Sequence, residues 1–359
     1  MTSIAVIGEG VIGTSTALAI KKVLPNAEIT VFHDRPFEKT CSAMPAGLFR
    51  FDNINDSYQE DELSIEKVFR FAFTVTIPVR AVRADAKVTF KWYAELCRHH
   101  PGAITGVKLL SGHIQSDSKE ALEGQEKAYG DIVYNFRYLN DKERESLFPE
   151  PSKYAIHFSS YAAEGNQYVP FLKKQLLHLG VVFKQRAVES VEELGNEGFD
   201  VVVNCAGLNA GKLAGDDATM YPIRGVVFQV EAPWHKHFNY RDFSTFTIPK
   251  NESVVLGSVK QANRFDTEIT DEDRRDIWQR YEKLQPAMKG AKVLGEWCHL
   301  RPARESIRVE SMKRRTRSGK TYTVVHHYGH GGHGFTVGWG TALRAAALVE
   351  RALGGRSKL

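Results

Sequence analysis

Along the chain, apolar residues alternate with polar ones in some stretches and recur every third or fourth position in others. Ser3–Ile7 (SIAVI) is a short apolar run that reads as a strand, and the residues from Thr14 to Val23 behind it read as a helix. Glu28–His33 (EITVFH) alternates, which completes a strand–helix–strand unit at the start. Further strands are predicted at 107–114 (VKLLSGHI), 181–188 (VVFKQRAV), 200–207 (DVVVNCAG), 225–232 (GVVFQVEA), 253–259 (SVVLGSV) and 322–328 (YTVVHHY), all rich in β-branched residues. Helices are predicted between them. Pro170 suits the first position of PFLKKQLLHL, with Phe171, Leu172, Leu176 and Leu179 on one face. Thr270 caps DEDRRDIWQRYEKLQP, whose apolar stripe is Ile277, Trp278, Tyr281 and Leu284. Thr341 begins ALRAAALVERAL, which Gly354 and Gly355 end. This mixture predicts an α/β fold. The stretch 64–85 fits neither period. Phe69, Phe71, Phe73 and Val75 alternate until Pro78 breaks the run, so an extra strand, a covering loop and a poorly ordered insertion all stay open.

The turn inside the first unit carries the first chemistry. GEGVIG (8–13) lies between strand and helix. Gly8 permits the tight turn, Gly10 lets a pyrophosphate approach the backbone at the helix N-terminus, and Gly13 lets the helix pack against the strand. Val11 and Ile12 complete the turn. The setting raises the motif above a bare glycine pattern and predicts a dinucleotide. At the end of the second strand, Asp34 can accept from ribose hydroxyls and Arg35 can meet a phosphate. Thr40, Cys41 and Ser42 offer polar groups. Ala46 and Gly47, with Leu48 behind them, are small enough to lie against a flat ring. A single such signature, at the very start of the chain and without paired cysteines, favours FAD in an oxidase.

Composition narrows the classes. Forty-eight cations nearly balance 43 anions, for a net charge of +5, so nucleic acid is not demanded, while a local positive field for an anionic substrate is compatible. No run of about 18 apolar residues predicts a membrane span. Cys41, Cys97, Cys205 and Cys298 form no CxxC pair, which argues against zinc and dithiol chemistry. His326, His327 and His330 lack a fourth ligand at suitable spacing, so no metal is expected. Ser357, Lys358 and Leu359 spell a peroxisomal address, which predicts an import receptor as partner and the peroxisome matrix as location.

Longer segments carry a resemblance. IAVIGEGVIGTSTAL, SAMPAGL, GVKLLSGHIQ, FDVVVNCAGL, YPIRGVVFQVEAPWHKHF, GEWCHLRPARESIRVE and VVHHYGHGGHGFTVGWGTAL run the length of the chain, and the chain resembles the D-amino-acid oxidase family. The RPxR and HYGHGGxGxT motifs are far more specific than the glycine turn. The resemblance implies a Rossmann-like FAD-binding domain interleaved with an α+β substrate domain on a mixed or antiparallel sheet. The first would take 1–50, roughly 151–220 and 296–359. The second would take roughly 51–150 and 221–295, with 64–85 as an atypical insertion. It implies noncovalent FAD, hydride transfer from the substrate Cα to the flavin, hydrolysis of the imino acid to a 2-oxo acid and ammonia, and reoxidation by O2 to H2O2.

The resemblance also assigns residues. Arg301 would hold the α-carboxylate in a bidentate fork. Arg304 and Arg308 read better as structural ion pairs. The Gly332 carbonyl would accept from the substrate amine. The loop with Gly331, Gly332, Gly334, Phe335 and Thr336 would meet the flavin edge, where a helix start favours negative charge. Phe246 stands where the family carries a tyrosine, with Tyr240 nearby. An acidic side chain needs a second cation. The candidates are Arg241, Lys260, where an acidic-substrate relative would carry arginine, and Arg50 after AGLF. Acidic D-amino acids (D-aspartate, D-glutamate) are therefore the expected substrates. Neutral D-amino acids, glycine or sarcosine are the alternative, and a non-catalytic FAD-binding protein is the third reading.

Overall fold

A computed structural model of the 359-residue chain describes residues 2–50 and 79–354. The described strands are β1 (Ser3–Ile7), β2 (Glu28–His33), β3 (Val107–Ser116), β4 (Tyr134–Tyr138), β5 (Tyr154–Ala163), β6 (Val182–Gln185) and β7 (Val201–Asn204). They continue as β8 (Tyr221–Glu231), β9 (Phe238–Arg241), β10 (Thr245–Pro249), β11 (Val254–Gly257), β12 (Gln261–Ala262), β13 (Lys292–Arg315) and β14 (Thr321–His330). All join one sheet in the order β4-β5-β3-β9-β10-β11-β8-β13-β14-β7-β1-β2-β6, with β12 beside β8.

The sheet has two characters. From β14 through β7, β1 and β2 to β6 every pairing is parallel. From β4 to β14 the pairings are antiparallel apart from β3–β9. The parallel strands are buried on both faces. Ile4, Val6, Val201 and Val203 pack into the core that holds the first helix Val11–Val23 and the terminal helix Gly334–Gly354, while Ala5, Ile7 and Val202 pack on the opposite side with Val191, Leu194 and Leu213. This two-sided burial explains the unbroken apolar runs of the first and seventh strands.

β13 joins the two halves. Its residues Lys292 to Ala303 pair with β8, and Ala303 to Arg315 pair with β14, with an irregularity between Ala303 and Arg308. Sheet hydrogen bonding therefore runs continuously past residue 296. Beyond this seam β8 alternates. Val226, Phe228 and Val230 pack under Ile277 and Tyr281 of the helix Asp271–Leu284, and Ile223, Gly225 and Val227 face the other way. That helix starts as expected: Thr270 accepts from Asp273 N at 3.1 Å, and Asp273 returns the bond to Thr270 N at 3.0 Å.

The expected strands are all present, but several details differ. Pro170 does not open its helix. The helix runs Gly165–His178, and close packing sets its start, because a Cβ at Gly165 would lie 2.0 Å from the Ser42 carbonyl oxygen. The terminal helix begins at Gly334, not Thr341. Its glycines suggest a loop, yet Gly340 is needed for contact: a Cβ there would lie 2.2 Å from the Asp85 carbonyl oxygen. Of the unassigned stretch 64–85, residues 79–85 open the helix Val79–His99, and the rest lies outside the described residues.

Candidate active site

The parallel strands all deliver their C-terminal ends to one edge. Gly8 to Val11 follow β1, Asp34 and Arg35 follow β2, Arg186 to Glu189 follow β6, and Cys205 to Asn209 follow β7, and all of them line one cavity. The cavity measures about 1050 Å³ and continues past the seam to Tyr240, Phe246, Lys260 and Arg301.

At the first end the glycine turn is shaped by packing. Gly8 sits at φ 113°, and a Cβ on it would lie 2.4 Å from the Cys205 carbonyl oxygen. A Cβ on Gly13 would lie 1.9 Å from the Gly8 carbonyl oxygen, so its role is helix–strand contact; it does not line the cavity itself. Gly10 caps the first helix without a side-chain bond, and Val11 N donates to Ser42 Oγ at 3.0 Å. The expected Val11, Ile12, Asp34, Arg35, Thr40, Cys41, Ser42, Ala46, Gly47 and Leu48 all line this cavity. Asp34 accepts from Arg35 Nε at 2.9 Å, and this bond lowers its carboxyl pKa, so any ribose hydroxyl would share the carboxylate with Arg35. Burial raises the Cys41 thiol pKa, which keeps it protonated at neutral pH. Long enough for a dinucleotide, and floored by a helix start, this end fits FAD.

Four positions here escape a reading of the sequence alone. Glu9, inside the glycine turn, is buried and bonds Lys173 Nζ at 2.6 Å. Arg186 packs over Phe32 at 4.6 Å and pairs with Glu193 and Glu197. Cys205 and Ala206 follow β7. The available signal was topological: strands parallel to the first must end at the same edge.

The middle of the cavity is the glycine loop. Gly331, at φ 53°, opens a short turn to His333, and Gly331, Gly332, Gly334, Phe335 and Thr336 all line the space at the start of the terminal helix. Gly334 lies against Val11 and Ile12, so the two helix starts meet. Tyr93 Oη donates to the Phe335 carbonyl at 2.6 Å, and Thr336 Oγ1 donates to the Arg50 carbonyl at 3.1 Å. The three histidines nearby are buried, and each has one ring nitrogen engaged within the fold. His327 Nδ1 lies 2.8 Å from Thr16 Oγ1, His330 Nε2 lies 3.1 Å from Thr341 Oγ1, and His326 Nδ1 faces Asn204. Burial pushes His326 and His330 down to about 3, so they stay neutral. Among the described residues no group of His, Cys, Asp and Glu is arranged for a metal.

At the far end the three arginines of LRPARESIR separate. Arg304 pairs with Asp217 at 2.8 Å, and Arg308 with Asp216 at 2.8 Å and Glu310 at 2.6 Å. Arg301 donates to Ser258 Oγ at 3.3 Å, and among the described residues no carboxylate is within ion-pair reach of it. Its guanidinium lies over Gly225 of β8, where a Cβ would fall 2.2 Å from Nη1, and Gly332 lies beside its Cδ. The sequence reading passed over Gly225, because a glycine within a strand shows its purpose only once the cross-strand neighbour is known.

Phe246 faces the cavity and stacks on Tyr240, 5.0 Å between centroids, directly across the β9–β10 pair. A phenol therefore stands beside the missing one. Arg50 lies over the Tyr240 ring at 4.5 Å, and Arg50 and Lys260 both line the cavity. Arg241 does not. It follows Tyr240 on a strand whose side chains alternate, so it takes the opposite face and pairs in register with Thr245. The expectation that Arg241 reaches a substrate is corrected by this one-residue offset.

A family described as FAD dependent oxidoreductase (DAO) matches residues 3–348. D-aspartate oxidase 1 of Caenorhabditis elegans is 59% identical, over 98% of this chain and 97% of its own length. D-aspartate oxidase 2 of Caenorhabditis briggsae is 56% identical, over 99% of each. Among solved structures, glycine oxidase from Geobacillus kaustophilus shares the fold at a TM-score of 0.74 and 17% identity, over 98% of this chain and 95% of that one.

Proposed function

The chain belongs to the DAO family of FAD-dependent oxidoreductases, and from that premise we propose that it oxidises acidic D-amino acids, D-aspartate and D-glutamate, to the 2-oxo acid, ammonia and H2O2. The observation that carries the reading is the contrast among the three arginines. Arg304 and Arg308 are held by acids, while Arg301 lines the cavity and, among the described residues, bonds a hydroxyl and no carboxylate. Two named relatives that act on D-aspartate support the substrate class.

FAD, when bound, supplies the two-electron acceptor for the hydride on the substrate Cα and passes the electrons to O2. The residues of this chain bind and orient. Arg301 offers two parallel N–H donors to the α-carboxylate. The carbonyl of Gly332, a residue that lies beside the Arg301 side chain, accepts from the amine. Two such anchors leave one face of Cα for the reaction and fix which enantiomer reacts. The amine must be neutral when hydride leaves, because its lone pair forms the C=N bond; the Cα hydrogen departs with its electron pair, so no side-chain base is required. Ile223, Val227, Phe246 and Val255 line the space and keep water from the reacting carbon.

An oxygen-uptake panel with D-aspartate, D-glutamate, D-alanine, glycine and sarcosine tests the reading. The two acidic substrates are expected to be fastest. Faster turnover of D-alanine, glycine or sarcosine would refute it and favour the neutral reading, which the aromatic wall of Tyr240, Phe243 and Phe246 could serve. The proposal includes a peroxisomal location. Ser357, Lys358 and Leu359 lie outside the described residues, and deleting them should leave activity intact while dispersing a punctate distribution; unchanged puncta would rule the address out.

A further inference from the structure

We propose that Glu9 is a positioning residue for the cofactor: with Lys173 and a protonated His33 it ties down the glycine turn, and the charge balance of this triad sets how tightly the dinucleotide is held. This rests on the placement of the dinucleotide at that turn. Glu9 stands between Gly8 and Gly10, where a pyrophosphate would approach the helix start. Yet it is an acid, and it is only 3% exposed. A buried carboxylate without compensation is costly in itself and would repel an anion beside it. The fold supplies two cations. Lys173, on the helix Gly165–His178, donates from Nζ to Glu9 Oε1 at 2.6 Å, and its ammonium lies 4.8 Å from the ring centroid of Phe183 on β6. His33, at the end of β2, brings Nε2 to 3.2 Å from Glu9 Oε2, an ion-pair approach without the alignment of a hydrogen bond.

The other ring nitrogen of His33 decides the charge. Nδ1 lies 2.9 Å from the Arg35 carbonyl oxygen, which can only accept, so Nδ1 carries a hydrogen. A neutral His33 would then turn the lone pair of Nε2 toward the Glu9 carboxylate. Only the imidazolium presents a proton there. The remaining charged groups around His33 are engaged elsewhere. Asp34 and Arg35, on its own loop, bond each other. Arg186, at the end of β6, donates its backbone N–H to the His33 carbonyl at 2.9 Å, while its guanidinium pairs with Glu193 and Glu197. With His33 protonated, the triad sets two cations against one anion. Once His33 is neutral, one cation faces one anion. The first state favours an anionic pyrophosphate at the turn more than the second does. The Nδ1 bond also holds the Asp34–Arg35 loop, which lines the same end of the cavity, against the end of β2.

The test dilutes the holoenzyme and follows flavin release by the rise in flavin fluorescence. It uses no substrate, so its outcome stands apart from the acidic-substrate reading. Wild-type release should quicken as pH rises between about 5 and 8, where an imidazolium gives up its proton. His33→Asn should release at the fast rate throughout, without that dependence. Lys173→Met leaves Glu9 with one partner and should release flavin roughly 10-fold faster than wild type at the acid end. Adding Glu9→Gln removes the carboxylate that needs a partner, and release should return to within about threefold of wild type. A role in packing alone would shift thermal stability and leave release insensitive to pH. Release that ignores pH in the wild type, a pH dependence that persists in His33→Asn, or a wild-type rate in Lys173→Met overturns the proposal. If Lys173→Met does not fold, the pH profile of wild type against His33→Asn decides. Flavin retained in Gly13→Val would instead overturn the placement of the dinucleotide.

Discussion

The two ends of the cavity are built in different ways. The dinucleotide end is made by backbone: a glycine turn whose atoms leave no room for a side chain, helix starts, and strand ends delivered to one edge by parallel pairing. The substrate end is made by side chains that meet across strands: Arg301 over Gly225, Tyr240 against Phe246, Arg50 over Tyr240. In the first, consecutive residues do the work, so chain order and spatial order agree. In the second, Arg301 and Gly225, and Arg50 and Tyr240, are tens of residues apart or more, Tyr240 meets Phe246 only across a strand pair, and a shift of one residue along a strand turns a side chain to the other face.

The largest effect should come from breaking the backbone end. In Gly13→Val the first new carbon would already lie 1.9 Å from the Gly8 carbonyl oxygen, so helix and strand must separate where the pyrophosphate would bind. The purified variant is expected to lose its flavin, and with it activity on every substrate. Retained yellow colour in the purified protein would mean that the dinucleotide lies elsewhere.

Breaking the substrate end should spare the flavin. Arg301→Ala removes the α-carboxylate anchor from all substrates alike. Loss of a partner for a buried charge costs about 3–5 kcal/mol, which is roughly two to four decades of kcat/KM. The loss should be shared by D-aspartate and D-alanine, with flavin content unchanged. Wild-type kcat/KM in this variant would remove Arg301 from the site. Gly225→Ala is the gentler form of the same break. Its new methyl would lie 2.2 Å from Arg301 Nη1, so the guanidinium must move while remaining present. A misplacement of about 1 Å can cost on the order of 100-fold. The expected loss is therefore about 10- to 100-fold, with normal flavin and normal thermal stability. A change in stability without a change in kinetics would make Gly225 a packing residue alone.

This contrast also explains what could be read in the chain. The strand–helix–strand start and the glycine turn follow from local pattern, and the predicted positions from Gly8 to Leu48 line one cavity, apart from Gly13, which packs helix against strand behind it. Arg301 stood out through a dense local motif. The starts of two helices did not. At Pro170 and Thr341 a local preference suggested the boundary, but contacts with Ser42 and Asp85 set it. Gly225 and the join made by β13 depend on register between distant strands, which no single segment displays. The candidates for the second cation show the limit most clearly. Arg241, Lys260 and Arg50 are equally basic in the sequence, and only the sheet tells which side of the wall each occupies.

The smallest expected effect, that of Arg241→Ala, sharpens this last distinction. Arg241 ends β9, opposite Thr245, on the face covered by the helix Asp271–Leu284, whose Arg280 donates to Thr245 Oγ1 at 2.7 Å. A carboxylate held there would be outside the cavity, on the far side of the sheet from Arg301. The Arg241 Nη1 atom is buried with no hydrogen-bond partner among the described residues, so truncation removes a polar group that they leave unsatisfied. The D-aspartate to D-alanine ratio of kcat/KM should therefore stay within about twofold of wild type, since no substrate charge is lost. Thermal stability should hold or rise slightly. A tenfold fall in the ratio would require Arg241 to face the cavity. Tyr240 would then have to leave the Phe246 ring on which it stacks. A near-silent Arg241 and an intact stack of Tyr240 on Phe246 are thus two consequences of a single register in β9.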